Sequence, residues 1–142
     1  MHSERSPKRI ANRQGATVVE LALVLPIIFA MLLGAVDFSR ANMIRNTLDN
    51  AAFEAARFAT IPGATSAEIT AIAQQTLDIL SIQNATITVI PATIAGDTER
   101  VTVEISVPLR NNLYASSQLL SGITITESCS LTKEQFAVQT LE

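Results

Sequence analysis

The hydrophobic pattern changes three times along this chain of 142 residues, and each change predicts a different element. Residues 16–36 are almost wholly apolar, and Glu20 is their only charged residue. A helix of this length rises about 30 Å, which is the thickness of the hydrocarbon core of a bilayer. The first part of the pattern therefore predicts a transmembrane helix.

The second part is a stripe of apolar residues at three- and four-residue steps through residues 37–60. Its members are Phe38, Ala41, Ile44, Leu48, Ala51, Ala55 and Phe58. Because no Gly or Pro lies between Gly34 and Pro62, the membrane helix is predicted to continue, amphipathically, to about Thr60. Within the apolar run, Pro26 removes one backbone hydrogen bond and is predicted to kink the helix.

The third part, residues 61–142, predicts a small extracytoplasmic α+β domain. Thr65 and Glu68 have the spacing of a capping box, and the apolar positions after them predict a second helix over about 66–80. The period then changes to two, which is typical of strands in an antiparallel sheet. The predicted strands are 85–90, 101–107 and 123–131, with a loop and one helical turn over 109–122. The fold class is therefore α+β, with a long N-terminal helix, a short second helix and a small antiparallel sheet.

Charge divides the chain into a basic head and an acidic remainder. Residues 1–15 carry four basic residues and one acidic residue, whereas the remainder carries six basic and twelve acidic residues. Basic residues before an apolar helix favour an N-terminus in the cytoplasm, so residues 1–15 are predicted to be a cytoplasmic leader. A basic arm for nucleic acid is less favoured, because the apolar segment follows at once and the remainder is acidic. No nucleic-acid partner is predicted.

Two other interpretations of the apolar segment remain open. A cleavable secretory signal would have a shorter apolar region and would be cut within residues 34–41, releasing a soluble product. An uncleaved signal anchor would carry an unrelated extracytoplasmic binding domain. The N-terminal sequence of the mature protein separates these interpretations.

Residues suited to catalysis are scarce, and the protein is predicted not to be an enzyme. His2 is the only histidine and lies in the leader, so no Ser-His or Cys-His pair remains in the rest of the chain. Glu104 and Glu127 lie on adjacent predicted strands, which admits an acid/base pair. Nothing in the sequence places them in one cleft, and an exposed strand face is the preferred interpretation.

No metal and no cofactor are predicted either. Asp97 and Glu99 could bind a hard cation, but a solvated turn at Gly96-Asp97 is favoured. Cys129 is the only cysteine, so no disulfide can form within the chain. It is predicted to be a small buried residue, and an interchain disulfide is the alternative.

The N-terminal third resembles a known family. A basic leader, Gly15, Glu20 five residues later, an apolar helix with an early Pro26 and an alanine-rich extension to residue 60 are similar to the start of TadE proteins. These are pseudopilin-like proteins of the tight-adherence (Flp, type IVc) pilus system. The resemblance implies a pilin-like fold and a minor pseudopilin or pilus-assembly function in the bacterial inner membrane. It also implies that a prepilin peptidase cuts between Gly15 and Ala16 on the cytoplasmic side.

The residues at this site have chemical roles that suit such processing. Gly15 has no side chain to clash with a peptidase at the membrane face. After cleavage, Ala16 carries a new ammonium group, and the Glu20 carboxylate one turn away, or on a neighbouring subunit, can neutralise it.

The resemblance also implies partners: the prepilin peptidase, other pilus or pseudopilin subunits and an inner-membrane assembly platform, in addition to the lipid bilayer. Small residues along 34–59 form a candidate contact surface, because they let helices approach closely. Packing of residues 44–59 against the protein's own sheet is the alternative.

Overall fold

A computed structural model describes residues 8–95, 98–115, 120 and 122–133, with side chains from residue 15 onward. The elements are α1 (Lys8–Ala59), α2 (Ser66–Asp78), β1 (Thr86–Ile90), β2 (Arg100–Pro108), a 3-10 turn (Leu109–Asn111) and β3 (Thr124–Thr132). The predicted α+β class, with its long first helix, is confirmed. The predicted turn at Gly96-Asp97 lies outside the described residues. The chain divides into two compact units, Met1–Val36 and Asp37–Glu142, which we call the N-terminal and C-terminal units.

The described part of the N-terminal unit is a single helical segment of α1. Every side chain from residue 15 to residue 36 is exposed, including the large apolar ones. The helix continues through Pro26. Membrane helices accept such a proline when neighbouring groups satisfy the carbonyl that loses its partner. The kink at Pro26 stays a prediction.

In the C-terminal unit, three antiparallel strands form a sheet in the order β1-β2-β3. Strand alternation places four side chains of the central strand in the core, namely Val101, Val103, Ile105 and Val107. The other face carries mainly hydroxyl side chains, and Thr88, Glu104 and Ser128 form one of its cross-strand rows. One face of the sheet is thus apolar and buried, and the other is polar, as expected for an antiparallel sheet covered on one side.

The C-terminal part of α1 covers the apolar face. Ile44 and Leu48 are fully buried, and so are five alanines in the following three turns: Ala51, Ala52, Ala55, Ala56 and Ala59. The predicted stripe is wrong at its first member, because Phe38 is 71% exposed. The buried side of α1 instead begins at Asp37, which lies four residues before the half-buried Ala41 and seven before Ile44. The buried side of α1 therefore follows the helical period, but its first residue is polar.

The second helix begins with the predicted capping box. The Thr65 hydroxyl accepts a hydrogen bond from the Glu68 backbone N–H, and the Glu68 carboxylate accepts one from the Thr65 N–H at 2.9 Å. The backbone and side-chain hydrogen bonds from Thr65 lower the pKa of Glu68. The helix ends at Asp78, two residues before the predicted end. Its end is earlier because the chain reverses at Ser81, which has a φ of 51°.

The strands lie within a residue or so of their predicted bounds, and the predicted helical turn after β2 is the 3-10 turn. The predicted third strand begins one residue too early. Ile123 precedes β3 and is 47% exposed, because its N–H bonds to the Leu120 carbonyl in the preceding turn and does not extend the strand.

Candidate functional site

The predicted processing site, Gly15 and Ala16, lies inside α1 with both residues exposed. A Cβ atom added to Gly15 would meet no other atom within 4 Å. The packing of this chain therefore does not require glycine here. Glycine does weaken a helix by about 1 kcal/mol relative to alanine, so α1 unwinds more easily at this position.

Glu20 lies on α1 four residues after Ala16, on the same side of the helix and about 6 Å further along its axis. Its side chain is exposed. It is the only charged residue within residues 16–36. The arrangement places one carboxylate a single helical turn from the backbone nitrogen that cleavage would expose.

The apolar surface of the N-terminal unit is large and uncovered by the described part of the chain. One described helix is long and apolar enough to cross a membrane, and its most apolar 18-residue window is wholly exposed. Large side chains such as Leu23, Ile27 and Met31 are each more than half exposed. So much contiguous apolar surface marks a site of contact with lipid or protein. It is compatible with a single-pass membrane anchor.

The small-residue surface predicted along 34–59 divides in two. The alanines at 51, 52, 55, 56 and 59 are fully buried in the C-terminal unit, so they are not available to another subunit. The alternative interpretation, packing of this part of α1 against the chain's own sheet, is the correct one for these residues. Gly34 and Ala35 are exposed in the N-terminal unit, and a Cβ at Gly34 meets nothing within 4 Å.

A polar cluster that the sequence did not predict lies at the start of the C-terminal unit. Asp37 is only 3% exposed, and its carboxylate accepts hydrogen bonds from the backbone N–H groups of Tyr114 (2.9 Å) and Ala115 (3.0 Å). A charged acceptor in such bonds contributes about 1.5–3 kcal/mol each. Asp37 thus fixes residues 114–115 to the first turn of α1 in this unit. Its position directly after the apolar run was the only signal in the sequence.

Arg40 and Asn112 extend this cluster to the loop between α2 and β1. The Arg40 guanidinium donates to the Leu80 carbonyl at 2.7 Å, and its carbon lies 5.9 Å from the centre of the Tyr114 ring. The buried Asn112 side chain bonds to both backbone groups of Gln83, each at 2.9 Å. Two loops, at residues 80–83 and 112–115, therefore converge on α1 at this end of the unit. The shared side chains hold them in place by long-range hydrogen bonds.

The two glutamates considered as an acid/base pair lie on opposite faces of the sheet. Glu104 is exposed on the hydroxyl-rich face, as predicted. Glu127 was predicted on the same exposed face, but it points toward α1 and forms an ion pair with Arg45 at 2.8 Å. The pair explains why a carboxylate interrupts the apolar alternation of β3. The two carboxylates share no cleft.

Cys129 also lies on the side of β3 that faces α1, and it is half-buried. Burial, and to a lesser extent the nearby charge of Asp49, raises the pKa of its thiol. The reactive thiolate is therefore disfavoured at neutral pH. Among the described residues, no group of three or more His, Cys, Asp or Glu side chains could hold a metal ion. Asp97, one of the two predicted cation ligands, lies outside the described residues.

Comparison with known proteins identifies the N-terminal segment. The family model of TadE-like proteins matches residues 15–57. The match confirms, over this segment, the resemblance found in the sequence. No curated protein and no solved structure shows a significant match to the chain.

Proposed function

We propose that this chain, TadE-like over residues 15–57, is a minor pseudopilin or pilus-assembly subunit of a tight-adherence (Flp) system. Residues 16–36 cross the inner membrane once, with the leader in the cytoplasm and the C-terminal unit on the outer side. The observation that carries the proposal is the family match over residues 15–57, because this segment includes the apolar run 16–36, whose large side chains are all exposed. The protein acts by helix packing and assembly with other subunits, and not by catalysis.

The orientation follows from charge. The balance of residues 1–15 is +3, from four basic residues and one acidic residue, and that of residues 16–142 is −6, from six basic and twelve acidic residues. Positive residues beside a short membrane helix are retained in the cytoplasm, so the leader remains inside and the acidic part is exported.

Processing by a prepilin peptidase between Gly15 and Ala16 is the next part of the proposal. The open space around Gly15 supports it, because the chain itself gives no packing reason for glycine at this position. The requirement for a residue without a side chain then comes from the enzyme that cuts there. The platform and the other subunits recognise the mature protein that results.

Glu20 has the role of a charge partner. An ionised carboxylate in hydrocarbon costs about 2–3 kcal/mol near the midplane and less near the interface, so its presence requires compensation. The ammonium group of mature Ala16 lies one helical turn away and supplies it. When helices pack side by side, the same attraction between subunits sets their axial register, because it is strongest in a low dielectric.

The test is mass spectrometry of the protein from its native membranes. We expect the wild-type chain to begin at Ala16, and Gly15→Leu to retain residues 1–15. Gly34→Leu is the matched control, because Gly34 is on the same helix and its added side chain also meets nothing within 4 Å. The control should be processed normally.

Three results would count against the proposal. Wild-type protein that retains Met1 would exclude processing, and would leave an uncleaved signal anchor as the better account. A new N-terminus within residues 34–41 would instead indicate a secretory signal. Normal pilus assembly by Glu20→Ala, with normal processing, would remove the charge-pairing role of Glu20.

A further inference from the structure

Two of the exposed aromatic rings in the described part of the C-terminal unit lie where this unit begins. Phe38 is 71% exposed and follows Asp37 directly, and Tyr114 is 72% exposed and is tied to Asp37 through its backbone N–H. Tyr114 is the only tyrosine of the chain. A ring that is so exposed gains little from packing within the unit, so its position requires another explanation.

Tyr114 is bonded to the residue that directly follows the apolar run in the sequence. Asp37 is the residue directly after Val36, where the apolar run ends. The Tyr114 nitrogen lies 2.9 Å from the Asp37 carboxylate. The polar headgroup layer on each side of a bilayer is about 5–7 Å thick, which is similar to the length of a tyrosine side chain. A ring attached at this point is within reach of that layer.

The chemistry of the cluster suits a headgroup layer. Tyrosine is enriched at membrane–water interfaces, because its ring is apolar and its hydroxyl remains hydrated. The Arg40 guanidinium carbon is 5.9 Å from the ring centre, so a positive charge accompanies the ring. Arg40 is held there by its bond to the Leu80 carbonyl, at 2.7 Å. A fixed cation at this depth attracts the phosphate groups of lipids.

We propose that Tyr114, held by Asp37 and accompanied by Arg40, is a lipid-contacting anchor that rests in the headgroup layer where α1 leaves the bilayer. The inference rests on the proposed membrane span, and it adds a second attachment to the membrane that is distant in sequence from α1. Its consequence is that the C-terminal unit contacts the bilayer through a loop as well as through the helix.

Fluorescence quenching tests the contact directly, because the chain contains no tryptophan. Full-length Tyr114→Trp is reconstituted in vesicles of phosphatidylethanolamine and phosphatidylglycerol, with or without phosphatidylcholine brominated near the headgroup end of its acyl chains. We expect brominated lipid to reduce the fluorescence about two-fold, since a ring at the interface lies within reach of the bromines. Acrylamide in the water should quench it weakly.

Two matched variants serve as references for strong and for absent quenching by brominated lipid. Phe29→Trp places the fluorophore within the apolar segment and should be strongly quenched by brominated lipid. Phe53→Trp places it on an exposed position of α1, 16 residues after Asp37 and about 24 Å along the helix, and should be insensitive to brominated lipid. Each single substitution is at an exposed ring, so the fold should tolerate it.

The outcomes separate the inference from the function on which it depends. If Phe29→Trp is not quenched, the membrane span itself is wrong. If Phe29→Trp is quenched and Tyr114→Trp responds only to acrylamide, the ring lies in water and the inference fails. If Tyr114→Trp responds to neither quencher, a protein covers the ring and the inference also fails. Quenching of Phe53→Trp equal to that of Tyr114→Trp would overturn the special role of the loop.

Discussion

Leu33 and Leu48 are the same residue type on the same helix, 15 positions apart, yet they lie in opposite surroundings. Leu33 is 51% exposed and belongs to a run of uncovered large apolar side chains, whereas Leu48 is fully buried in the core of the C-terminal unit. The turns after Leu48 carry mainly alanine on their buried side. One helix thus serves as the apolar surface of one unit and as a core element of the other.

The difference shows that the size of the apolar side chains along α1 depends on what each part of the helix packs against. Alanine lets a helix backbone approach a neighbouring element closely, so a fixed protein partner can be packed tightly against residues 51–59. A bilayer offers no fixed partner, and large flexible apolar side chains fill a fluid environment well. A helix with large apolar residues on all sides is therefore predicted to contact lipid. A helix with large and small apolar residues on one side and polar residues on the other is predicted to pack in a protein core.

The largest expected effect comes from truncating the two leucines. Leu48→Ala should destabilise the C-terminal unit by about 2–5 kcal/mol, because it opens a cavity in a packed core. Leu33→Ala should leave the unfolding temperature of that unit unchanged, because the side chain does not belong to its core. Thermal unfolding of the full-length variants in the same detergent measures both. Equal shifts in the two variants would contradict the division of α1.

A second prediction reverses the test by adding a charge to each part of the helix. Leu25→Arg, near the middle of the apolar segment, should oppose membrane insertion by about 2.5–3.5 kcal/mol. The fraction of protein that remains in membranes after an alkaline wash should fall. Asn50→Arg is the control, since Asn50 is exposed on the C-terminal part of α1 and should tolerate the charge. Full retention of the Leu25→Arg protein would argue against a membrane span.

The smallest expected effect concerns the charged margin of α1. Arg45 is 68% exposed and pairs with Glu127, which is 23% exposed, so the pair should contribute about 0.2–1 kcal/mol to stability. A double-mutant cycle of Arg45→Ala and Glu127→Gln, followed by chemical denaturation, isolates this coupling. A coupling above about 2 kcal/mol is typical of a buried charge pair. Such a value would contradict the interpretation of Arg45 and Glu127 as an exposed pair at the margin of α1.

Most elements could be predicted because their signals are local. The 21-residue apolar run, the capping box at Thr65 and Glu68, and the alternation of β2 each act over a few neighbouring residues. Their physical causes, namely backbone propensity and the side of an element that meets the core, can be read from a short window. The bounds of α2 and of the three strands accordingly agree with the structure within two residues, whereas α1 begins at Lys8, eight residues before the apolar run that predicted it.

The polar contacts could not be predicted, because they join residues far apart in the sequence. Asp37 and Tyr114 are 77 residues apart, and Arg45 and Glu127 are 82 apart. Phe38 looked like a core residue because the helical period continues through it, and Asp37 looked like a solvated one. The backbone N–H groups of residues 114–115 help to make the buried carboxylate favourable, and no pattern within α1 reveals them.

The burial of α1 alanines in the C-terminal unit has a consequence for the order in which the protein forms. Synthesis delivers Ala51–Ala59 about 40 residues before Val101–Val107, the strand residues that share their core. During synthesis this part of the helix therefore exists for a time without the strand residues that cover it. A methyl group presents much less apolar surface to water than a leucine side chain does, so the waiting segment offers little for other unfolded chains to adhere to.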